Sequence, residues 1–429
     1  MITFNTNIPL TTCTYPVNDV AVMKKKMLSW ANRFNIFCFL DNQDYSIQPH
    51  QYECLLAAGT TQYISSGSLK DLDGFLERNK NWIFGHLSYD LKNSIHHFQS
   101  DKEDKIGFPH FFFFVPEFLV QITQNELKIE GEDCDRAYKE ILDEKVEKTF
   151  SAHLSIQQKL SKEEYLQIIK QLQQHIVRGD CYEINFCQEF FAEDAEIDPI
   201  TVFQKLIAVS PNPFSALYKL NDRFLICASP ERFMARKGKI IFSQPMKGTA
   251  KRNLNDKKED ERLKEELQKN AKERSENVMV VDMVRNDLSK VCVETSVKVD
   301  ELFGVYSYPQ VHQMISTISG ELKPEVNFSE IIEATFPMGS MTGAPKHRVM
   351  ELIDEYETSD RGIFSGSVGY ISSESDFDFN VVIRSIMYNA SNKYLSYKLG
   401  SGITFYSDPE KEWEECLLKG EAIKKVLTS

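Results

Sequence analysis

The sequence lacks the features of zinc modules, secreted proteins and membrane proteins. Its nine cysteines include no CxxC pair and no histidine partner at zinc-ligand spacing. No apolar run approaches the ~20 residues that cross a bilayer. The first residues, MITFNTNIPLTTCTY, lack the charged and apolar regions of a signal peptide. We therefore expect reduced thiols, no membrane partner and a location in the cytoplasm.

Basic residues are in the minority. Lys and Arg number 50 against 63 Asp and Glu, so the net charge is −13. A general nucleic-acid-binding surface is therefore not expected, and any cation that matters must act locally. With 429 residues, of which 42% are apolar, the chain is long enough to bury a large core.

The pattern of apolar residues divides the chain into two regions. Residues 1–150 carry short aromatic runs, such as FNIFCFLD and WIFGHLSYDL, that predict the strands of a sheet-forming region. Residues 155–429 add further strands, a long charged helix at about 256–287, a helix at 345–356 and a C-terminal helix. Because the strands come in hairpin-like groups, the sequence predicts an α+β fold with antiparallel sheets.

Two helices carry paired carboxylates. Glu273 and Glu276 lie three residues apart on the long helix, and Glu412 and Glu415 repeat the spacing near the C-terminus. Residues three apart share one face of a helix, so the two pairs could converge on a hard cation such as Mg²⁺. The alternative is that both pairs belong to solvated faces, because such charges are common on exposed helices.

Two glycine-containing loops precede helices. FPMGSMTGAPKHR places Gly339 and Gly343 before a proline-initiated helix, where backbone N–H groups bind anions well. Its spacing does not match a P-loop, and a structural turn remains an alternative. LGSGITFYSDP follows a strand and leads to the helix of Glu412.

Three basic residues lie within or just after apolar runs. Arg384 lies within FNVVIRSIMY, so a bound carboxylate or an acidic side chain should face it. His312 is either a hydrogen-bonded core histidine or a catalytic residue. Lys247, in QPMKGTAKRN, follows a short strand and is either a solvated loop charge or a placed reactive amine.

Nine segments closely resemble the chorismate-utilising enzymes, in the same order, from about residue 161 onwards. They are GDCYEINFCQ, SPERFM, QPMKGT, KERSENVMVVDMVRNDL, VHQMISTISG, FPMGSMTGAPKHRVMELID, RGIFSGSVGYI, FNVVIRS and GSGITFYSDPEKEWEE. The resemblance implies two antiparallel β-sheets packed as a sandwich with helices on the outside. It also implies that residues 155–429 form the chorismate-binding catalytic region.

The resemblance implies a Mg²⁺ cofactor. Glu276 and Glu415 would hold the ion, with Glu273 and Glu412 beside them, and the ion would grip the ring carboxylate of chorismate.

Further residues match the substrate-binding positions of the family. Thr342 and the Gly343 backbone would flank the ring carboxylate. Arg384, with the amides near Gly400 and Gly402, would hold the enolpyruvyl carboxylate.

The catalytic positions of the family are also matched. Glu231 resembles the general acid that protonates the departing C4 hydroxyl, and His312 resembles the active-site histidine. Thr249 and Gly248 would shape the site. Phe364 departs from the pattern, because several members carry a tyrosine there that hydrogen-bonds the enolpyruvyl carboxylate, and this places more weight on Arg384.

The residue between Pro-Met and Gly-Thr distinguishes the subfamilies. Lysine at this position is similar to the aminodeoxychorismate synthases, in which it attacks C2 of chorismate, whereas other members usually have alanine. The resemblance therefore implies conversion of chorismate and ammonia to 4-amino-4-deoxychorismate through a Lys247 adduct. For this attack the amine must be neutral, and we expect burial beside Mg²⁺ to lower its pKa.

Two alternatives to this activity stay open: an anthranilate synthase large subunit, and a homologue that binds chorismate without catalysis. The chain contains no glycine-flanked cysteine of the glutaminase type, so we expect a separate glutamine amidotransferase subunit to supply ammonia. The chain ends soon after Glu415, and we expect no fused lyase.

Overall fold

The computed structural model describes residues 11–45, 52–65, 67–145, 154–308 and 311–428. The first ten residues of the sequence, which bear on the signal-peptide prediction, lie outside these ranges. Within them, no helix is both long and apolar enough to cross a bilayer. All nine cysteines are free thiols, as expected; eight are buried and Cys13 is half-buried.

The strands in chain order are β1 Thr11–Pro16, β2 Ile36–Asp41, β3 Cys54–Ala58, β4 Gln62–Ser65, β5 Ile83–Leu87, β6 Phe111–Val115, β7 Phe118–Ile122, β8 Glu126–Gly131, β9 Gln157–Gln158, β10 Glu183–Ala192, β11 Phe214–Leu220, β12 Arg223–Ser229, β13 Arg232–Lys237, β14 Ile240–Gln244, β15 Met246–Lys251, β16 Lys298–Ser307, β17 Val311–Glu321, β18 Gly343–Ala344, β19 Ser367–Ile371, β20 Phe377–Asn380, β21 Ser385–Asn389 and β22 Tyr394–Ile403.

The helices are α1 Val20–Ala31, α2 Leu69–Arg78, α3 Leu91–His96, α4 Cys134–Asp143, α5 Lys162–Arg178, α6 Pro199–Val209, α7 Lys257–Lys269, α8 Ala271–Val291, α9 Phe328–Thr335, α10 Lys346–Tyr356, α11 Pro409–Lys419 and α12 Glu421–Thr428. A short 3₁₀ turn covers Gly339–Met341.

The predicted fold class is confirmed, because the strands form two antiparallel sheets with helices around them. The described part of one sheet has twelve strands, with β1, β8, β7, β3, β2, β11, β12, β21, β22, β10 and β18 in spatial order and β9 against β10. The described part of the other has ten, with β15, β17, β14, β13, β20, β19, β5, β6 and β4 in order and β16 against β17.

Strand β2 shows why several strands read as unbroken apolar runs. Its Ile36 and Cys38 side chains belong to the core between the sheets. Phe37 and Phe39 belong to a second core, between the twelve-stranded sheet and its outer helices. Successive side chains of a strand point to opposite faces, so a strand covered on both faces is apolar at every position.

Both sheets combine strands from the two regions of the sequence. β2 pairs with β11 in the twelve-stranded sheet, and β5 pairs with β19 in the ten-stranded sheet. The division into residues 1–150 and 155–429 remains a prediction about the sequence.

The prediction of one charged helix over about 256–287 is wrong. The chain forms α7 and α8, which meet at Asn270. The backbone of Asn270 is extended, and its side chain accepts hydrogen bonds from the amides of Lys272 and Glu273. This cap satisfies N–H groups that begin a new helix. The predicted C-terminal helix is likewise divided into α11 and α12 at Gly420.

Candidate active site

Lys247 lies where the edges of the two sheets approach each other. The register between β15 and β17 shifts between Met246 and Thr249, so Lys247 and Gly248 occupy an irregularity of the edge strand. Gly248 has a φ of 93°, and a Cβ there would come within 3.0 Å of Glu273 Oε2. Such irregularities redirect side chains, and here the strand turns Lys247 toward the twelve-stranded sheet.

The Lys247 amine contacts a carboxylate that the sequence analysis did not single out. Its Nζ donates a hydrogen bond to Oε1 of Glu183, the first residue of β10. The exposed fractions of the two side chains are 12% and 3%. A Cβ at Gly402 would lie 2.5 Å from Glu183 Oε1 and 2.7 Å from Lys247 Nζ. Gly402 therefore leaves the space in which the pair meets.

Glu231 is buried in the turn between β12 and β13. Burial raises the pKa of its carboxyl to about 7, although hydrogen bonds from Ser340 and the Met246 amide and the charges of Lys247 and Arg384 oppose the shift. A carboxyl group with this pKa is partly protonated near neutral pH and can donate a proton, as the role of general acid requires.

The protein residues around Lys247 do not lower the pKa of its amine, contrary to the expectation from the sequence. Burial acts in the expected direction, but Glu183, Glu276 and Glu231 outweigh it and raise the pKa of Lys247 above its ordinary value. Nearby carboxylates favour the charged form of an amine. The resting side chain is therefore an ammonium ion that must lose a proton before it can act as a nucleophile.

The four predicted metal ligands lie on two helices that approach the same region. Glu276 on α8 and Glu412 on α11 are largely buried, and Lys272 Nζ lies 3.7 Å from Glu276 Oε1 and 3.9 Å from Glu412 Oε1. Glu415 is about half exposed, and its Oε1 lies 2.8 Å from Lys419 Nζ. Gly248 packs against Glu273. The two carboxylate pairs are thus brought together, with Lys272 between them.

The electrostatics of these carboxylates differ. Burial raises the pKa of Glu276 to about 7, Glu183 and Glu273 add to the shift, and Lys247 and Lys272 oppose it. Burial also raises the pKa of Glu273. Burial alone would raise the pKa of Glu415, but Lys419 and Lys272 lower it overall. Burial therefore outweighs the nearby lysines at Glu276, whereas the lysines outweigh burial at Glu415.

The four predicted metal ligands have the oxygen donors that a hard cation prefers. All four donors are carboxylates, and Glu276 Oε1 is buried without a hydrogen-bond partner among the described residues. No group of three or more His, Cys, Asp or Glu side chains in the described ranges is arranged as a metal site. Mg²⁺ takes one or two carboxylates and fills its other positions with water and substrate oxygens, so a smaller protein ligand set suits it.

Arg384 lies just before β21 with a φ of 50°. Burial lowers the pKa of its guanidinium, while the nearby Tyr308 and Glu231 act in the opposite direction. Among the described residues, Tyr308 Oη is buried without a hydrogen-bond partner. A guanidinium and a phenol in one partly desolvated region suit an anionic ligand, as the sequence analysis expected for Arg384.

The two glycine-containing loops lie beside β10, the strand that begins with Glu183. Gly343 in β18 pairs with Ile184 of β10, and Thr342 is buried with its hydroxyl donating to the Met338 carbonyl at 3.1 Å. Gly400 faces Cys187 across β10 and β22. The loops are therefore placed at the end of β10 that carries Glu183, while the Thr342 hydroxyl is already used by the backbone.

His312 and Thr249 have other partners. His312 is buried on β17, with Nε2 3.1 Å from Asp260 Oδ1 and Nδ1 2.9 Å from Ser307 Oγ. These contacts match the alternative of a hydrogen-bonded core histidine, and no described contact joins His312 to the other site residues. Thr249 is exposed, and its hydroxyl donates to Gln313 Oε1 at 2.9 Å.

The sequence analysis missed Glu183 and the role of Ser340. Glu183 opens the strand EINFCQEFFA, and the reasoning applied to Arg384, that a charge among apolar residues needs a partner, would have pointed to it together with Glu189. Ser340 lies in the glycine loop and hydrogen-bonds the Glu231 carboxyl. Phe364, the noted departure, is buried in the core between the sheets.

Curated proteins that are similar in sequence include enzymes named for reactions of chorismate-derived compounds. The anthranilate synthase component I-like protein of Synechocystis sp. is 31% identical over 366 residues, which are 83% of this chain and 75% of the relative. Aminodeoxychorismate synthase component 1 of Escherichia coli is 39% identical over 271 residues, 63% of this chain, so the match spans only 59% of that relative.

The fold likeness extends over nearly the whole chain. Anthranilate synthase component I from Streptococcus pneumoniae aligns with a TM-score of 0.74 at 23% identity, covering 98% of this chain and 94% of that chain. The family described as chorismate binding enzyme matches residues 27–425. A match over this length shows that the chain belongs to the chorismate binding enzyme family.

Proposed function

We propose that the protein is the large subunit of an aminodeoxychorismate synthase, which converts chorismate and ammonia to 4-amino-4-deoxychorismate. The observation that carries the proposal is the position of the Lys247 amine. It contacts Glu183 in the space that Gly402 leaves open. Glu231 and Glu276 are close enough to affect its pKa. A relative named aminodeoxychorismate synthase component 1 supports the same activity.

In the proposed first step, the neutral Lys247 amine attacks C2 of chorismate, and both conjugated ring double bonds shift, from C1=C2 and C5=C6 to C1=C6 and C4=C5, as the C4–O bond breaks. Hydroxide is a poor leaving group, so Glu231 transfers its proton to that oxygen and water departs. The raised pKa of Glu231 keeps this proton available near neutral pH. Ammonia then attacks C4, both ring double bonds shift back, and the lysine amine leaves C2.

Substrate binding in this proposal relies on charge. Arg384 would pair with the enolpyruvyl carboxylate, while the loop around Thr342 and Gly343 and the backbone near Gly400 and Gly402 would border the substrate. Glu276, Glu415, Glu273 and Glu412 would hold Mg²⁺, which when bound supplies positive charge for the ring carboxylate. We further propose that a separate glutamine amidotransferase subunit provides the ammonia.

Product analysis tests the proposal. Purified protein is incubated with chorismate, Mg²⁺ and ammonium, and the products are separated by chromatography. We expect 4-amino-4-deoxychorismate without pyruvate. Release of anthranilate and pyruvate would instead assign the protein as an anthranilate synthase, which the cyanobacterial relative favours. Absence of turnover with retained chorismate binding would indicate a non-catalytic homologue.

A further inference from the structure

Glu183 has one oxygen engaged and one free. Its Oε1 accepts the hydrogen bond from Lys247 Nζ, whereas its Oε2 is buried without a hydrogen-bond partner among the described residues. The side chain is 3% exposed. Buried polar atoms are nearly always satisfied, and an exception calls for an explanation such as a chemical role.

We propose that Glu183 is the base that takes a proton from the Lys247 ammonium and so produces the nucleophilic amine. This inference rests on the proposed function, since it assigns a proton acceptor to the first step of that reaction. Glu183 is a catalytic residue in this account because its carboxylate touches Nζ, the reacting atom.

The other carboxylates near Lys247 are committed elsewhere. Glu231 must hold a proton when the C4–O bond breaks, and a protonated carboxyl cannot also accept one from the amine. Glu276 lies on α8 with its Oε1 3.7 Å from Lys272 Nζ, and it is a candidate metal ligand. Within the described residues, Glu183 is the carboxylate that shares a hydrogen bond with Nζ.

The proton balance of the step is complete. The N–H bond that faces Glu183 breaks, its proton moves to the carboxylate, and the electron pair stays on nitrogen. That pair forms the bond to C2, while the C4–O bond breaks and Glu231 supplies the proton that leaves with water. When ammonia displaces the lysine at the second step, Glu183 returns its proton to the departing amine.

The neighbouring backbone holds Glu183 in place. Two residues along β10, the Asn185 amide donates to the Thr342 carbonyl at 2.7 Å, and its side chain donates to the Ser340 carbonyl at 2.8 Å. Arg361 Nη2 donates to the Asn185 carbonyl at 2.8 Å. These bonds tie the start of β10 to the loop behind it. Proton transfer needs this fixed geometry.

Two substitutions separate proton transfer from hydrogen bonding. In Glu183→Gln the amide oxygen still accepts a hydrogen bond from Lys247 but takes no proton, whereas Glu183→Asp keeps a carboxylate at a slightly greater distance. Glu189→Gln is the matched control, because Glu189 is another buried glutamate of β10, hydrogen-bonded to Tyr394 Oη at 3.1 Å. Its position six residues further along is roughly 20 Å from Glu183.

The measurement is the rate at which chorismate and Mg²⁺, without ammonia, add mass to Lys247 after rapid acid quenching. We expect Glu183→Gln to slow this rate about 10²- to 10⁴-fold, the usual contribution of a general base. Glu183→Asp should recover at least about a tenth of the wild-type rate, and Glu189→Gln should react at the wild-type rate. Chorismate affinity, measured by equilibrium dialysis, and melting temperature should change little in Glu183→Gln.

Two results would overturn the inference while the proposed function stands: an unaltered adduct rate in Glu183→Gln, or a rate in Glu183→Gln equal to or above that of Glu183→Asp. The second result would show that Glu183 only positions Lys247. If the wild-type protein itself forms no adduct at Lys247, the proposed function fails and the role of Glu183 fails with it.

Discussion

Two buried ion pairs that contact β10 differ in how many of their polar atoms have hydrogen-bond partners. Arg361 Nε and Nη2 donate to the two Glu357 oxygens at 2.9 and 2.6 Å, and its other hydrogen bonds reach Met341, Ser365 and Asn185. In the Lys247 pair, Glu183 Oε2 has no partner among the described residues. The first pair is fully satisfied and supports the site, whereas the second leaves an atom open for chemistry.

Removing the amine should have the largest effect. We expect Lys247→Ala to lower the rate of chorismate amination by at least about 10⁴-fold, as loss of a nucleophile does. The melting temperature should also fall, because Glu183 is left buried without its counter-ion.

Steady-state assays and thermal unfolding measure both effects, with Lys251→Ala, an exposed residue of the same strand, as the control. Full turnover in Lys247→Ala would show that the pair of Lys247 and Glu183, like that of Arg361 and Glu357, has only a structural role.

Breaking the satisfied pair between Arg361 and Glu357 should lower stability without lowering activity. Glu357→Gln leaves the Arg361 charge buried without its counter-ion, which typically costs about 3–5 kcal/mol of unfolding free energy. The specific activity of the folded fraction should remain near wild type. Chemical denaturation with parallel activity assays checks this, and Glu355→Gln, an exposed neighbour, is the control. Equal stability of the two variants would contradict the distinction between the pairs.

The carboxylates of α8 should make stability depend on pH and on Mg²⁺. Burial raises the pKa of Glu276 from 4.5 to about 7, so its folded form binds a proton that the unfolded form has lost. The destabilisation is absent below about pH 4.5, grows as the pH rises and is complete above about 7. It reaches roughly 3 kcal/mol at most.

Metal-free Glu276→Gln should therefore unfold at a higher temperature than the wild type at pH 8, but not at pH 4.5. Adding Mg²⁺ should stabilise the wild type more than the variant. Asp282→Asn, on the exposed side of α8, is the control. Equal Mg²⁺ stabilisation of the wild type and Glu276→Gln would refute the metal assignment.

Substitution of Arg384 tests whether the region beside Lys247 and Glu183 binds the substrate anion. We expect Arg384→Gln to raise the KM for chorismate about 10- to 100-fold with a smaller change in kcat, since a hydrogen bond to a charged group contributes about 1.5–3 kcal/mol. Steady-state kinetics measure the change, and Arg285→Gln on the surface of α8 is the control. An unchanged KM would remove Arg384 from the substrate site.

The last prediction is a pH dependence from Glu231. Its pKa is about 7, and the acid form is the one that donates a proton. The rate of adduct formation should therefore fall above pH 7, about tenfold per unit well past the pKa. Measuring it without ammonia avoids the titration of that substrate. A rate that stays constant from pH 6 to 9 would contradict the assignment of Glu231 as the acid.

The sequence alone predicted the sheets because short apolar runs between turn residues are typical of buried strands. It did not predict the break at Asn270, since Lys and Glu are abundant on both sides and only the capping geometry shows that a new helix begins. Asparagine is a favoured helix cap, so Asn270 itself was the one sequence feature that indicated the start of a new helix.

The sequence predicted which residues lie near Lys247 better than it predicted the pKa values of these residues. Lys247, Glu231 and the paired glutamates are brought to one region, whereas His312 is held by Asp260 and Ser307. The contact between Lys247 and Glu183 joins residues 64 positions apart in different sheets, which no local pattern encodes. The direction of the Lys247 pKa shift depends on how many carboxylates gather around it, and this too is a property of the fold.

The most direct test of this account is the mass of the wild-type protein after reaction with chorismate and Mg²⁺ in the absence of ammonia. The account predicts a mass increase equal to chorismate minus one water, mapped by proteolysis to Lys247 and lost again when ammonium is added. An unmodified protein that releases anthranilate and pyruvate once ammonium is present would contradict it.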